Sequence, residues 1–237
     1  GTLLGLTYIK ELDLWGWHRH DTAAGAFEQV CVVPEADHDA VYVSVRRTVG
    51  GLVKRCIEQF AAREVVDAAD PGYFVDSGVS WYGEEPVSEV DGLDHLNGRA
   101  VLALVDGAVQ GPFTVTGGAV TLSTPGTIVH VGLGITAELE TLDLDVVGQG
   151  SIRDVRKSVK SVALLLEDSM RGFQVGPPDG TLVALTADAW DTAGLFTGRE
   201  ELAVHTHFNQ YGRVLVRHTN PTPLTVLGVL PHVDVGG

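Results

Sequence analysis

Two pairs of histidines, each separated by one residue, are where this sequence offers chemistry. His18 and His20 lie in "WGWHRHDT" (15–22), followed by Asp21, and His205 and His207 lie in "AVHTHF" (203–208). On an extended strand, residues two apart share a face, so each pair can aim two imidazoles at one ion. A catalytic zinc needs a third protein ligand and an open position, and often a carboxylate as base. His95, His130, His218 and His232 are further candidates. On a straight strand, however, Asp21 faces away from the pair. Metallohydrolases that open with H-x-H-x-D continue with another histidine, where Thr22 stands here, and they are rich in helix. A metal site on His18, His20, His205 and His207 is therefore the weaker reading.

The structural reading of the same stretch is stronger. Trp15 and Trp17 share one face of a strand and read as anchors of a core or an interface. Gly16 between them leaves room for another backbone or ring. Asp21 and Thr22 read as a turn that closes the strand through side-chain hydrogen bonds. Other catalytic schemes lack their parts. There is no G-x-S-x-G elbow and no G-x-x-x-x-G-K-[ST] loop. Cys31 and Cys56 form no C-x-x-C pair and read as buried small apolar side chains, with a disulfide between adjacent strands as the alternative. Glu84-Glu85 and Glu138/Glu140 fall in turn-like or solvent-facing positions. No catalytic residue and no cofactor is expected.

The elements that must position these residues are strands. "AVYVSVRR" sets Val41, Val43 and Val45 against Tyr42, Ser44 and Arg46, and "TLDLDV" alternates in the same way. Gly50-Gly51, Asp91-Gly92, Asp106-Gly107, Gly117-Gly118 and Asp179-Gly180 mark turns between them. The expected fold is all-β: an antiparallel, propeller-blade-like meander followed by small barrel or sandwich domains. Region 1–69 holds strands near 2–9, 12–19, 27–33, 41–48 and 52–60, with a helical turn over 61–69. Region 70–137 reads as a small β-barrel domain. Region 138–237 reads as a C-terminal β domain, with strands near 139–147, 159–167, 202–208, 213–218 and 224–230.

Charge narrows the partners. The formal net charge is −15, which works against holding nucleic acid by neutralising phosphates. The one basic cluster, 151–161, reads as a solvated strand edge or loop. No apolar run is long enough to form a membrane-spanning helix. The chain opens inside a β-favouring stretch, which reads as a piece of a longer polypeptide.

The stretch "GTLLGLTYIKELDLWGWHRHDTAAGAFEQVCVVPEADHDAVYVSVRRTVGG" resembles the late part of the nozzle, or tail tubular, proteins of short-tailed phages and prophages. The similarity continues through "YFVDSG", "VDGLDHLNGRAVLALVDGAV", "TVTGGAVTL", "VHVGLGITAELETL", "RGFQVGP" and "VLVRHTNPTPLTVLGVLPHVDVGG". "GLGIT" (132–136) departs from the bulkier aromatic turn of the family. Residues 87–135 resemble a small barrel found in ubiquitin-activating enzymes, but hold no cysteine that could carry that chemistry. The resemblance implies a structural virion component, made in the bacterial cytoplasm and built into the tail. Copies of the full-length protein would form a homo-oligomeric ring, contacting the tail adaptor and fibres or spikes. DNA would pass through that ring without specific binding. The alternative is a carbohydrate-binding or carbohydrate-cleaving β domain that contacts the host surface.

Overall fold

The structure is a computed structural model and describes all residues except Asp37, Arg63, 146–150, 186–193, His205 and Gly237. Strand makes up 63% of the chain and helix 3%, so the fold is all-β. The chain divides into two compact units, Gly1–Glu64 with Tyr73–Ile135, and Val65–Gly72 with Thr136–Gly237.

The first unit holds three antiparallel sheets. β1 (Leu3–Ile9) pairs with β2 (Leu14–His20) alone. β3 (Gly25–Glu35), β4 (His38–Val49) and β5 (Leu52–Gln59) form the second sheet in that order. β6 (Asp76–Val90), β7 (Ala100–Val105), β8 (Ala108–Thr114) and β9 (Val120–Leu133) form the third, ordered β6-β9-β7-β8. The expected continuous meander is thus split, because no ladder joins β2 to β3. The chain between them is drawn off by Asp76, whose carboxylate accepts from Thr22 Oγ1 at 2.9 Å and from the Ala23 amide at 2.7 Å. No helix forms over the described residues of 61–69, where a helical turn was expected.

The turns follow their glycines. Gly50 and Gly51 have φ of 59° and 78°, and Gly117 and Gly118 have φ of 61° and 78°. Two successive positive φ values make the tight hairpin turn whose twist suits the flanking strands. Asp106 and Gly107 do the same between β7 and β8, with φ of 46° and 77°.

The third sheet curls over Val101, Ala103, Val105, Val129, Val131 and Leu133, with Leu93 and Leu96 beneath it. It stays open: β6 and β8 are its edges, and no closed barrel forms. β9 is the strand that both β6 and β7 pair with.

Among its described residues, the second unit holds two sheets. One is β10 (Ala137–Glu140), β15 (Leu215–His218), β12 (Phe173–Gly176) and β13 (Val183–Ala184) in that order. The other is β14 (Phe196–Ala203), β11 (Arg156–Ser169) and β16 (Thr225–Gly236) in that order. Val162, Leu164 and Leu166 of β11 share one core with Phe173 and Val175 of β12 and Val216 of β15, a sandwich arrangement. The strand expected over 202–208 lies earlier, at Phe196–Ala203.

Two expectations about single residues are overturned. Within the basic cluster, Lys157 is fully buried, not solvated. Its Nζ donates to the carbonyls of Gln210 at 2.6 Å and Arg153 at 3.4 Å, which offsets the loss of water. Cys31 is exposed and Cys56 half-buried, and both are free thiols. Cys31 pairs with Tyr42 and Cys56 with Val45, three residues apart on β4, so the thiols lie on opposite faces of the sheet.

Candidate functional site

The β1–β2 hairpin carries most of the residues singled out in the sequence. Its register pairs Leu4 with Arg19, Leu6 with Trp17 and Tyr8 with Trp15. Directly paired residues point to the same side of an antiparallel ladder. One face therefore presents Leu4, Leu6, Tyr8, Trp15 and Trp17, with Arg19 at its end. Trp15 is 67% and Trp17 66% exposed, so neither anchors a core of this chain. On the opposite face, Leu3 pairs with His20, Gly5 with His18, Thr7 with Gly16 and Ile9 with Leu14. Ile9, Leu12 and Leu14 are exposed as well. A Cβ added to Gly16 would meet nothing within 4 Å, so the close approach expected there is not made within the described chain.

His18 and His20 do meet. Nδ1 of His18 lies 2.8 Å from Nε2 of His20, with the rings edge to face at 4.9 Å. Gly5 makes this possible, because a Cβ there would collide with the His18 ring. His20 in turn sets its edge against Phe60 at 5.5 Å, and Phe60 stacks on Phe27 at 6.2 Å. Burial pushes the His20 pKa down, the neighbouring His18 adds to this, and Asp21 opposes it. One imidazole nitrogen donates and the other accepts, so the bond holds at most one imidazolium.

The other metal candidates do not join them. Asp21 accepts from Thr2 Oγ1 at 2.7 Å and pairs with Arg19 at 3.1 Å. His207 is exposed in a loop of the second unit, and His205 lies outside the described residues. Among the described residues, no group of three or more His, Cys, Asp or Glu side chains could hold a metal ion. Asp21 uses its side chain toward Thr2 and toward Arg19 of its own strand, and Thr22 toward Asp76 and Arg47.

A buried charge centre went unread in the sequence. Arg47 is 3% exposed and every arm of its guanidinium is used. Nε and Nη2 donate to Glu58 at 2.6 and 2.7 Å, and Nη1 donates to the Ala23 carbonyl at 2.7 Å. Nη2 also reaches Thr22 Oγ1 at 2.7 Å and Asp76 at 2.9 Å. Burial works against the charge, but the hydrogen bonds and the charges of Glu58 and Asp76 outweigh it and raise the pKa. The signal was parity: Val43, Val45 and Arg47 share one face of β4, so the arginine occupies a core position. Nearby Tyr73 accepts the Gly78 amide at 2.8 Å. Burial, aided by the charges of Asp76 and Glu58, pushes its phenol up to about 12.

These features join strands, orient rings and expose apolar side chains. No protein-family model matches the chain, and no curated protein matches it.

Proposed function

We propose that this chain is a structural virion component, part of a phage tail nozzle, with no catalytic role. The observation that carries the reading is the β1–β2 hairpin. A two-stranded sheet with aromatic and aliphatic side chains in solvent on both faces has the form of a subunit surface awaiting a neighbour. The collinear resemblance supplies the particle. Copies of the full-length protein form a ring below the adaptor, with fibres or spikes around it. The net charge of −15 suits a channel, since acidic walls repel phosphates and let DNA slide.

The test is antibody labelling of intact particles with serum raised against this chain. Label at the tail tip is expected. Particles that carry no label, from lysates rich in the protein, would sink the reading.

A second reading is a glycan-binding domain at the host surface. It is favoured by the exposure of Trp15 and Trp17 on one face, since indoles stack on sugar rings. Titration with host surface polysaccharide, followed by tryptophan emission and by release of reducing ends, tests binding and cleavage separately.

A further inference from the structure

The β1–β2 hairpin is covered at its base alone. Among its strand residues Leu3, Gly5 and His20 are half-buried, and all the others are exposed. These three share the histidine face, where Leu3 pairs with His20 and Gly5 with His18. Beyond the hairpin, His20 meets Phe60 at 5.5 Å, and Phe60 stacks on Phe27 of β3 at 6.2 Å. No ladder reinforces this contact, and a two-stranded ribbon is marginal in water by itself. We propose that the His18–His20 pair is a proton-operated latch, which docks the hairpin on Phe60 and Phe27 while His20 is neutral and releases it when His20 takes up a proton.

The bond between the rings allows this. Nδ1 of His18 and Nε2 of His20 lie 2.8 Å apart and share one hydrogen. With both rings charged, each facing nitrogen carries a hydrogen and attraction turns to repulsion. Both ends of the hairpin stay pinned. Gly1 and Phe27 exchange two bonds at 2.6 and 3.0 Å, and Asp76 holds Thr22 and Ala23. Release is therefore a tilt about this base, with the body of the unit intact.

The charges around His20 act in both directions. Burial is the main obstacle to its proton, His18 adds to it, and Asp21 opposes it. Arg19 points to the other face and pairs with Asp21 at 3.1 Å, and on β1 Thr2 binds Asp21. The Gly1 ammonium sits on the Phe27 carbonyl. On the face of the second sheet that carries Phe27, Arg47 and Glu58 bind each other, and Asp39 and Lys54 share that face. A cation–π attraction of the imidazolium to Phe60 would side with Asp21 and hold the latch shut in acid.

The sign follows from linkage. A hairpin lifted off Phe60 bares the His20 ring, which then titrates at its ordinary value of about 6.5. The docked ring binds the proton less tightly. Docking is therefore whole above that pH and is lost as pH falls from there through the docked value. A latch of this kind works in the chain by itself, so it stands or falls apart from the tail reading.

Histidine NMR titration and amide hydrogen exchange are the tests. His20 should titrate below the ordinary value of about 6.5, and Phe60→Ala should bring it back toward that value. Between about pH 7 and pH 5, protection of the β1–β2 amides, corrected for intrinsic rate, should fall several-fold more than that of the β3–β4 ladder. His20→Phe keeps a ring against Phe60 and removes the proton, so its hairpin should stay equally protected across this range. Circular dichroism checks that the variants fold. The latch is overturned by a His20 that titrates at or above its ordinary value, or by a hairpin with no protection at neutral pH. It is also overturned if hairpin and β3–β4 ladder lose protection in step, or if His20→Phe loses it as the parent does.

Discussion

Arg47 on β4 and Asp76 at the start of β6 are 29 positions apart, yet their side chains meet at 2.9 Å. Asp76 also holds Thr22 and Ala23, and Arg47 also holds Glu58 and the Ala23 carbonyl. One ion cluster thus joins the β3-β4-β5 sheet, the link after β2 and the β6-β9-β7-β8 sheet.

Arg47→Ala should destabilise the first unit by about 3–5 kcal/mol, because it strands two partly buried carboxylates without a counter-charge. Arg47→Lys should recover little of this, since one ammonium cannot replace a fork that reaches Glu58, Asp76, Thr22 and Ala23 together. Urea unfolding followed by circular dichroism measures both.

The Tyr73 phenol, raised to about 12, gives the first unit an alkaline limit. The unfolded chain releases this proton near pH ~10, so stability falls as pH rises above that value and levels off past the folded pKa. Absorbance at the tyrosinate band should show Tyr73 titrating late, beside Tyr42, which its hydrogen bond to Glu35 also raises. Tyr73→Phe should remove its own part of the late titration and flatten the alkaline loss.

His218 sets an acid limit in the second unit. It is buried, and its Nε2 lies 2.8 Å from the Thr222 carbonyl. Burial lowers its pKa, against the opposing pull of hydrogen bonds with the Thr222 and Gly172 backbone. The unfolded chain therefore takes up the proton first, at about pH 6.5. Stability is whole above that pH and is lost as pH falls from there toward the folded pKa. Melting temperatures across this range should fall less steeply in His218→Gln than in the parent.

Cys31 should react with a thiol reagent several times faster than Cys56, because it is exposed while Cys56 is partly covered. Mass spectrometry at short labelling times reads the order. Oxidation should not link the two within one chain, since they lie on opposite faces of the sheet.

Much of the fold was legible because its signals are local. Gly50-Gly51, Asp106-Gly107 and Gly117-Gly118 announced turns, since few other pairs accept two positive φ values in succession. The alternation of Val41, Val43 and Val45 gave β4 its faces. β14 was misplaced because "FTGREELA" has weak alternation and takes its place from the ladder to β11, not from its own pattern. The hairpin's exposure was not legible either. Trp15 and Trp17 carry the same local signature whether they face a core or solvent, and only the absence of a third strand decides it. The burial of Lys157 depends on carbonyls at Arg153 and Gln210, and the second lies 53 positions away.

The place of β11 has a consequence for synthesis. It is the central strand of its sheet, flanked by β14 and by β16, and its Arg156 pairs with Gly236. A nascent chain emerges from the ribosome in order, so β11 appears well before either neighbour. Until Thr225–Gly236 has emerged, one side of β11 offers bare amides and carbonyls beside an apolar core. The first unit has all its strands once Leu133 is out and can fold during translation. The second must wait for β16, and a ribosome stalled before Thr225 releases a chain with an open, sticky edge.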